Sequence, residues 1–234
     1  MITDHFKYTD KGPRQNNQDS VESIAFPNLF FACVADGVGG CPFGEVASKH
    51  SITSFVELIS GGTEDLGQII EVANKKLLEA HILFPQYVGM CTTFTGCTIK
   101  DNVLHFAHAG DSRLCVIRQQ EVMQLSDNHT EVEYLLRTGQ LREQEAALYP
   151  RRNVILSGLG IYEDPIIQTD NFALQPGDRV LLTTDGVHEI INTTELSGIS
   201  AIAGDAAEFG ALLVALLATK RLTDNVSFVI MFVA

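Results

Sequence analysis

Residues 29–40 read Leu29-Phe30-Phe31-Ala32-Cys33-Val34-Ala35-Asp36-Gly37-Val38-Gly39-Gly40, an unbroken apolar run that stops at an aspartate followed by glycines. Such a run, bounded by turn residues, predicts a strand buried on both faces, with a sharp exit loop leading into a helix. The carboxylate at its end has a short stem and sits where a buried strand emerges, so it is an inflexible hard-oxygen ligand; the adjacent glycine lets a backbone carbonyl approach the same ion. Thr184-Asp185-Gly186 and Thr223-Asp224-Asn225 lie at the edges of apolar runs in the same way. A single Asp-Gly pair is most often a turn. The repetition points to a carboxylate-lined metal site. Anions converging about 4 Å apart repel by roughly 1 kcal/mol in water and about 4 kcal/mol at an effective dielectric near 20, a cost that a divalent cation removes.

Working outward, residues 44–59 and 66–84 carry apolar side chains at helical spacing, separated by Gly61-Gly62. Residues 92–99 and 103–106 flank the turn-forming Lys100-Asp101-Asn102 and predict a hairpin, followed by a strand at 114–117. A helix over 131–138 ends at Gly139 and opens a more polar insertion to about residue 159, the natural place for a mobile flap. Strands are expected at 171–174 and 179–183 around Pro176-Gly177-Asp178. Asn192-x-x-Glu195 and Asp205-x-x-Glu208 are capping-box patterns announcing two helices, and 225–234 closes the chain as a buried strand. No repeat or linker interrupts the 234 residues, so a single domain over 1–234 is expected, with a flap at about 131–159. Paired strands with helices grouped before and after them favour a layered α+β sandwich over an alternating βαβ sheet.

Composition excludes several classes. A formal net charge of −13 argues against nucleic acid, whose binding rests on lysine and arginine. The longest strictly apolar run, 211–218, is far shorter than the roughly 20 residues that span a bilayer, and Met1-Ile2-Thr3-Asp4-His5 lacks a basic stretch with an apolar core behind it. No membrane association is expected. Five cysteines without a Cys-x-x-Cys pair read as reduced thiols, and the cytoplasm is the expected compartment. Gly39-x-x-x-x-Gly44 is followed by Glu45 and Val46 instead of a P-loop's lysine and hydroxyl residue. Pro42 stands where a dinucleotide fingerprint needs its third glycine. No cysteine has an arginine after five intervening residues, which disfavours cysteine phosphatase chemistry.

Seven motifs then fall in order: Arg14-x-x-Asn17-Gln18-Asp19; Asp36-Gly37-Val38-Gly39-Gly40 with Gly44-Glu45-x-Ala47-Ser48; Thr92-Thr93; Gly110-Asp111-Ser112-Arg113; Leu125-Ser126-x-Asn128-His129-Thr130; Thr184-Asp185-Gly186; and Asp224-Asn225. In this order they resemble the metal-dependent serine/threonine protein phosphatases of the 2C (PPM) family, in the short, catalytic-domain-only bacterial form. The resemblance implies a four-layer α-β-β-α sandwich, two central, mostly antiparallel sheets flanked by helices. It implies two Mn²⁺ or Mg²⁺ ions on Asp36, the Gly37 carbonyl, Asp185 and Asp224, and a third, looser ion on Asp111 with Asp185, where Glu189 can join. Arg14 corresponds to the arginine that grips the substrate phosphate, and Asp19 to an acid that holds metal-bound water. Together they imply catalytic roles for Arg14, Asp19 and Asp36. Two divalent ions some 3.5 to 4 Å apart lower the pKa of a bridging water, and Arg14 with the ions offsets phosphoryl charge.

The implied activity is hydrolysis of phosphoserine and phosphothreonine in proteins, opposing a serine/threonine kinase and acting on that kinase and its substrates as a monomer. Two other readings stand beside it: a pseudophosphatase that binds phosphoproteins without turnover, against which the presence of Asp36, Asp111, Asp185 and Asp224 argues, and a regulatory phosphatase acting on a small phosphorylated protein. Departures from the family pattern are Gln18 in place of an acid, Val38 in place of a histidine that eukaryotic members use as general acid, Asn128 in place of an aspartate, and Cys91 in place of a glycine. His188 offers itself as a replacement acid, though a histidine near a strand end is more often solvated. Cys41, close behind the Asp36 loop, raises a redox-sensor expectation against the plainer one of an ordinary loop thiol.

Overall fold

A computed structural model describes residues 2–234, with the side chain of Thr3 left aside. Met1, where the N-terminal stretch begins, lies outside them. In chain order the elements are β1 (Ile2–Asp10), β2 (Asp19–Ala25), β3 (Phe30–Asp36), α1 (Gly44–Ser60), α2 (Leu66–Leu83), a single 3₁₀ turn at Pro85–Tyr87, β4 (Phe94–Lys100), β5 (Val103–Ala109), β6 (Arg113–Arg118), β7 (Glu121–Gln124), α3 (Glu131–Arg137), α4 (Glu143–Ala146), β8 (Gln168–Ala173), β9 (Arg179–Thr183), α5 (Asp185–His188), α6 (Thr193–Ile202), α7 (Ala206–Leu217) and β10 (Val226–Val233).

The apolar run at 29–35 becomes β3, and its alternation explains why no polar residue interrupts it. Phe31, Cys33 and Ala35 face α1 and α2, packing with Phe55, Ile69 and Leu77. Phe30, Ala32 and Val34 face the second sheet, packing with Leu114, Val116, Val180, Leu182, Val229 and Met231. A strand sandwiched between helices and another sheet has no wet face, so both sets must be apolar. β10 repeats the pattern on the other side: Val229 and Met231 point inward, while Phe228 and Ile230 meet Phe209 and Leu213 of α7. The result is the α+β sandwich, a helical pair, two five-stranded antiparallel sheets ordered β2-β3-β4-β5-β8 and β1-β10-β9-β6-β7, and a second helical pair.

Local expectations hold where their physics is local. Asp101 and Asn102 take the left-handed conformation (φ 51° and 60°) that a two-residue hairpin turn needs, which closes β4 on β5 with Lys100 opposite Val103. The Asn192 side chain accepts from Glu195 N at 2.9 Å, and the Glu195 carboxylate accepts from Asn192 N at 3.0 Å, completing the capping box of α6. At α7 only half of the box forms. Asp205 caps Glu208 N at 2.7 Å, but Glu208 turns to Gly204 N.

Three strands escape a reading by pattern: β1, β2 and the four-residue β7, which pairs with β6. β1, Ile-Thr-Asp-His-Phe-Lys-Tyr-Thr-Asp, is an edge strand with the polar His5, Lys7 and Thr9 on its exposed side; its Phe6 and Tyr8 pack on Phe228 of β10. β2 begins at Asp19 and is tied to β1 by the Lys7–Glu22 ion pair. The turn at Pro176-Gly177-Asp178 does not close a hairpin. β8 pairs with β5 in one sheet and β9 with β6 and β10 in the other, so the turn carries the chain across the sandwich. Within 131–159, α3 is capped by Thr130, Glu131 binds Arg151, and bridges Thr130–Ile155 and Thr92–Leu159 hold the two ends.

Candidate metal centre

Every aspartate singled out above sits at a strand end on one rim of the sandwich. β2 and β3 are antiparallel with Asp19 directly opposite Asp36, so both carboxylates leave the same face of that sheet. In the other sheet, β6 pairs with β9 through Arg113↔Thr183 and β9 with β10 through Thr183↔Phe228. Asp111 precedes β6, Asp185 follows β9 and Asp224 precedes β10, so three neighbouring strand ends present a carboxylate toward the rim where Asp19 and Asp36 emerge.

The backbone holding Asp36 is clamped from both sides. Its N–H donates to Thr93 Oγ1 at 3.0 Å; its carbonyl accepts from Thr92 Oγ1 and from Thr93 N, both at 2.8 Å. Gly37 N donates to the Gln18 carbonyl at 3.1 Å. A Cβ on Gly37 would lie 2.5 Å from the Gly44 backbone, which is why glycine follows the aspartate here. Asn225 performs the same service for the N-terminal segment. Its Oδ1 accepts from Gln18 N at 2.8 Å, and its Nδ2 donates to the carbonyls of Lys11 at 2.8 Å and Asn16 at 2.9 Å, which fixes the chain carrying Arg14 and Asp19 against β10.

Crowding of like charge in a buried place governs the titration of the group. Burial above all, then the charges of Asp19, Asp185 and Asp111, pushes Asp36 well above the usual carboxylate range. Burial lifts Asp19 to about 6 against hydrogen bonds from Ser227 and Thr184; burial and then Asp224 lift Asp185 to about 6; burial and then Asp185 lift Asp111 to about 7. Asp36 therefore feels the charges of carboxylates from both sheets at once, Asp19 from its own and Asp185 and Asp111 from the other. Among the described residues no three histidine, cysteine, aspartate or glutamate side chains close a cage around one point. The carboxylates instead branch from Asp36 as a hub.

These residues fit a hard divalent cation. The donors are carboxylate oxygens with a glycine carbonyl beside them, and one buried acceptor, Asp19 Oδ1, has no hydrogen-bond partner, while Thr184 Oγ1 donates to Oδ2 at 2.8 Å.

Arg14 is placed on the ligand set itself. Its Nη2 lies 2.6 Å from Asp224 Oδ2 and its Nε donates to the Thr223 carbonyl at 3.1 Å, with about half of the side chain exposed. Glu189 adds charge to Asp111 and Asp185. His188 is not solvated as a strand-end histidine would be. It is half-buried, its Nδ1 is 3.0 Å from Thr183 Oγ1, and burial, with Arg113 nearby, depresses its pKa well below the ordinary value, so it stays neutral. Asn128 accepts from Gln124 and lies 3.4 Å from Arg113 Nε, a structural setting. The supporting roles of Thr184 and Asn225 have no local signature: a hydroxyl or amide that bonds residues about 165 or 210 positions away leaves no periodic trace.

A pH dependence follows. Asp19, Asp111 and Asp185 have folded values near 6 to 7 against an ordinary 3.8, so their contribution to stability is fully present below about pH 4 and lost as pH rises through 6 to 7. Neutral His108, His129 and His188, with depressed values, act in the opposite sense over the same interval. The difference between melting temperatures with Mn²⁺ and with chelator isolates the carboxylates: it should grow by about 5 °C or more between pH 5 and pH 7.5, because a cation must displace their protons. A difference that stays flat over that range contradicts the carboxylate site.

The protein phosphatase 2C family model matches residues 12–226. Protein phosphatase PhpP of Streptococcus pneumoniae is 34% identical over 205 residues, covering 82% of this chain and 81% of that protein. The crystal structure of serine/threonine phosphatase Stp1 from Staphylococcus aureus superposes with a TM-score of 0.89 at 25% identity, covering 100% of this chain and 96% of that one. The catalytic domain of serine threonine protein phosphatase PstP, solved in complex with 2 manganese ions, superposes with a TM-score of 0.79 at 28% identity over 98% of each chain.

Proposed function

This chain belongs to the protein phosphatase 2C family, and from that premise we propose that it hydrolyses phosphoserine and phosphothreonine in proteins, using divalent cations held on its carboxylate rim. The observation that carries the proposal is the meeting of five strand-end aspartates from two sheets, with Asp36 pushed up by burial and by the charges of Asp19, Asp185 and Asp111, and Asp185 by burial and by Asp224. Asp36, the Gly37 carbonyl, Asp185 and Asp224 would hold two ions, Mn²⁺ or Mg²⁺, and Asp111 with Asp185 a third. Cations so held lower the pKa of a water and neutralise phosphoryl charge.

The rest of the chemistry belongs to the chain. Asp19, anchored by Thr184 through one oxygen, keeps the other free to accept from the attacking water and orient it. Arg14 has a half-exposed guanidinium beside the rim, and its planar fork suits two phosphate oxygens. With Val38 in the loop and His188 neutral and tied to Thr183, the leaving alkoxide takes its proton from water. Residues 131–159 serve as the flap that selects among substrates. The chain is proposed to act as a single-domain monomer in the cytoplasm on a serine/threonine kinase and that kinase's substrates.

Hydrolysis of a phenyl phosphate ester and of a phosphoserine peptide, with Mn²⁺ and with chelator, tests this. Turnover should require the metal, and Arg14→Ala should raise KM for the peptide by about 10- to 100-fold, the worth of a charge-assisted hydrogen bond pair. Absence of any Mn²⁺-dependent turnover would leave a phosphoprotein-binding module as the better reading.

A further inference from the structure

We propose that Cys41 and Cys91 form an oxidation site for peroxide, whose disulfide locks the loop carrying Gly37. Cys41 and Cys91 are near enough for each thiol to influence the other, and backbone hydrogen bonds lace together the segments that bear them. Val38 N donates to the Cys91 carbonyl at 3.1 Å and Cys41 N to the Val38 carbonyl at 3.0 Å. Pro42 lies 3.8 Å from where a Cβ on Gly89 would stand. The pair is asymmetric in access. Cys41 is half-buried in the loop ahead of α1, whereas Cys91 is 3% exposed and burial pushes its thiol up. Cys33, Cys97 and Cys115 are buried in the core.

Access sets the order of events. The Cys41 sulfur attacks a peroxide oxygen, the O–O bond breaks, and the departing hydroxide takes the thiol proton as water, leaving a sulfenic acid on Cys41. The Cys91 sulfur then attacks the Cys41 sulfur. The S–O bond breaks, hydroxide leaves and collects the Cys91 proton as a second water, and the two sulfurs have been oxidised by one hydrogen peroxide.

The consequence is mechanical. A disulfide brings its sulfurs to about 2.05 Å, well inside non-bonded contact, so one segment must move. Cys91 resists: Thr92 and Thr93 beside it clamp the Asp36 backbone, and Thr92 pairs with Leu159 through backbone hydrogen bonds of 3.0 and 2.8 Å. The strain falls on residues 37–41. Gly37 cannot recoil, because the Gly44 backbone lies against it. A displacement of about 1 Å at a positioned group can cost on the order of 100-fold in rate.

Loss of activity rests on the phosphatase reading; formation of the bridge does not. Mn²⁺-loaded protein is therefore treated with hydrogen peroxide, alkylated, digested without reductant and mapped by mass spectrometry, with fragmentation to separate Cys41 from Cys33 and Cys91 from Cys97. Phenyl phosphate ester turnover is followed in parallel. A Cys41–Cys91 bridge, at least about a tenfold fall in turnover, and recovery with dithiothreitol are expected, with bridge and reversible loss both absent in Cys41→Ser. Cys91→Ala should likewise lose the bridge. No bridge between these residues, a bridge that leaves turnover unchanged, or equal reversible inactivation of wild type and Cys41→Ser overturns the proposal. If the enzyme shows no turnover at all, the mapped bridge still decides the site while the phosphatase reading falls separately.

Discussion

Asp36→Asn should lower phosphatase turnover by at least about 10³-fold and yet make the chelator-stripped protein more stable than wild type. Both effects come from the same crowding. Asp36 is the hub at which Asp19, Asp111 and Asp185 meet, buried and lifted far out of the carboxylate range by desolvation and by their charges. Asparagine keeps the shape and can donate a hydrogen bond to Asp185, but it presents no negative charge and is a poor ligand for a hard cation. Without metal it relieves the repulsion, which should be worth roughly 1 to 3 kcal/mol, or about 3 to 10 °C in melting temperature near neutral pH. With Mn²⁺ the ranking should invert, because wild type gains the binding energy that the variant cannot. Thermal melts of both proteins in chelator and in Mn²⁺, beside kcat for a phenyl phosphate ester, check this. A variant less stable than wild type in chelator would mean that Asp36 supports the fold on its own.

Gly186→Ala should damage fold and activity together, through one methyl group. A Cβ there would land on the Asn225 carbonyl oxygen, with the Asn225 carbonyl carbon 2.9 Å away, and neither atom belongs to a side chain that could swing aside. Asp185 precedes this glycine and Asp224 precedes that asparagine, so the contact sets the separation of two proposed ligands. Relief requires moving a backbone held by three Asn225 side-chain hydrogen bonds to Lys11, Asn16 and Gln18. A loss of at least about 3 kcal/mol is expected, or about 6 to 12 °C, with activity falling even below the melting temperature. Gly198→Ala is the control. It lies within α6 with nothing inside 4 Å of its Cβ position, and the helix should gain about 0.5 to 1 kcal/mol. Equal melting temperatures for wild type and Gly186→Ala would refute the close approach.

Much of this architecture was legible in the sequence, because parts of it are local physics. The run at 29–35 has no polar residue, which only a strand covered on both faces permits; the spacing at 66–84 specifies one buried helical stripe, with Ile69, Ala73 and Leu77 on it. Asn192 and Glu195 satisfy each other within one turn. The motif order named the family before any geometry was known. That Asp19, Asp36, Asp111, Asp185 and Asp224 lie on one rim is a property of the fold.

The remainder needed the third dimension. β1 and β2 are too polar to stand out, and they exist because β10 and β3 offer them hydrogen-bonding edges. No local signal at Pro176-Gly177-Asp178 says whether the next strand returns or crosses, since that depends on which edge is free. Arg14 resting on Asp224, Asn225 stapling the N-terminal segment and Thr184 reaching Asp19 join residues more than 160 positions apart. Residue order alone determined which groups carry the chemistry and which segments must be buried, because side-chain type and periodicity act over a few residues. Strand register decided which of those groups meet, because pairing energies are shared among distant segments and are settled only when the sheets close on each other.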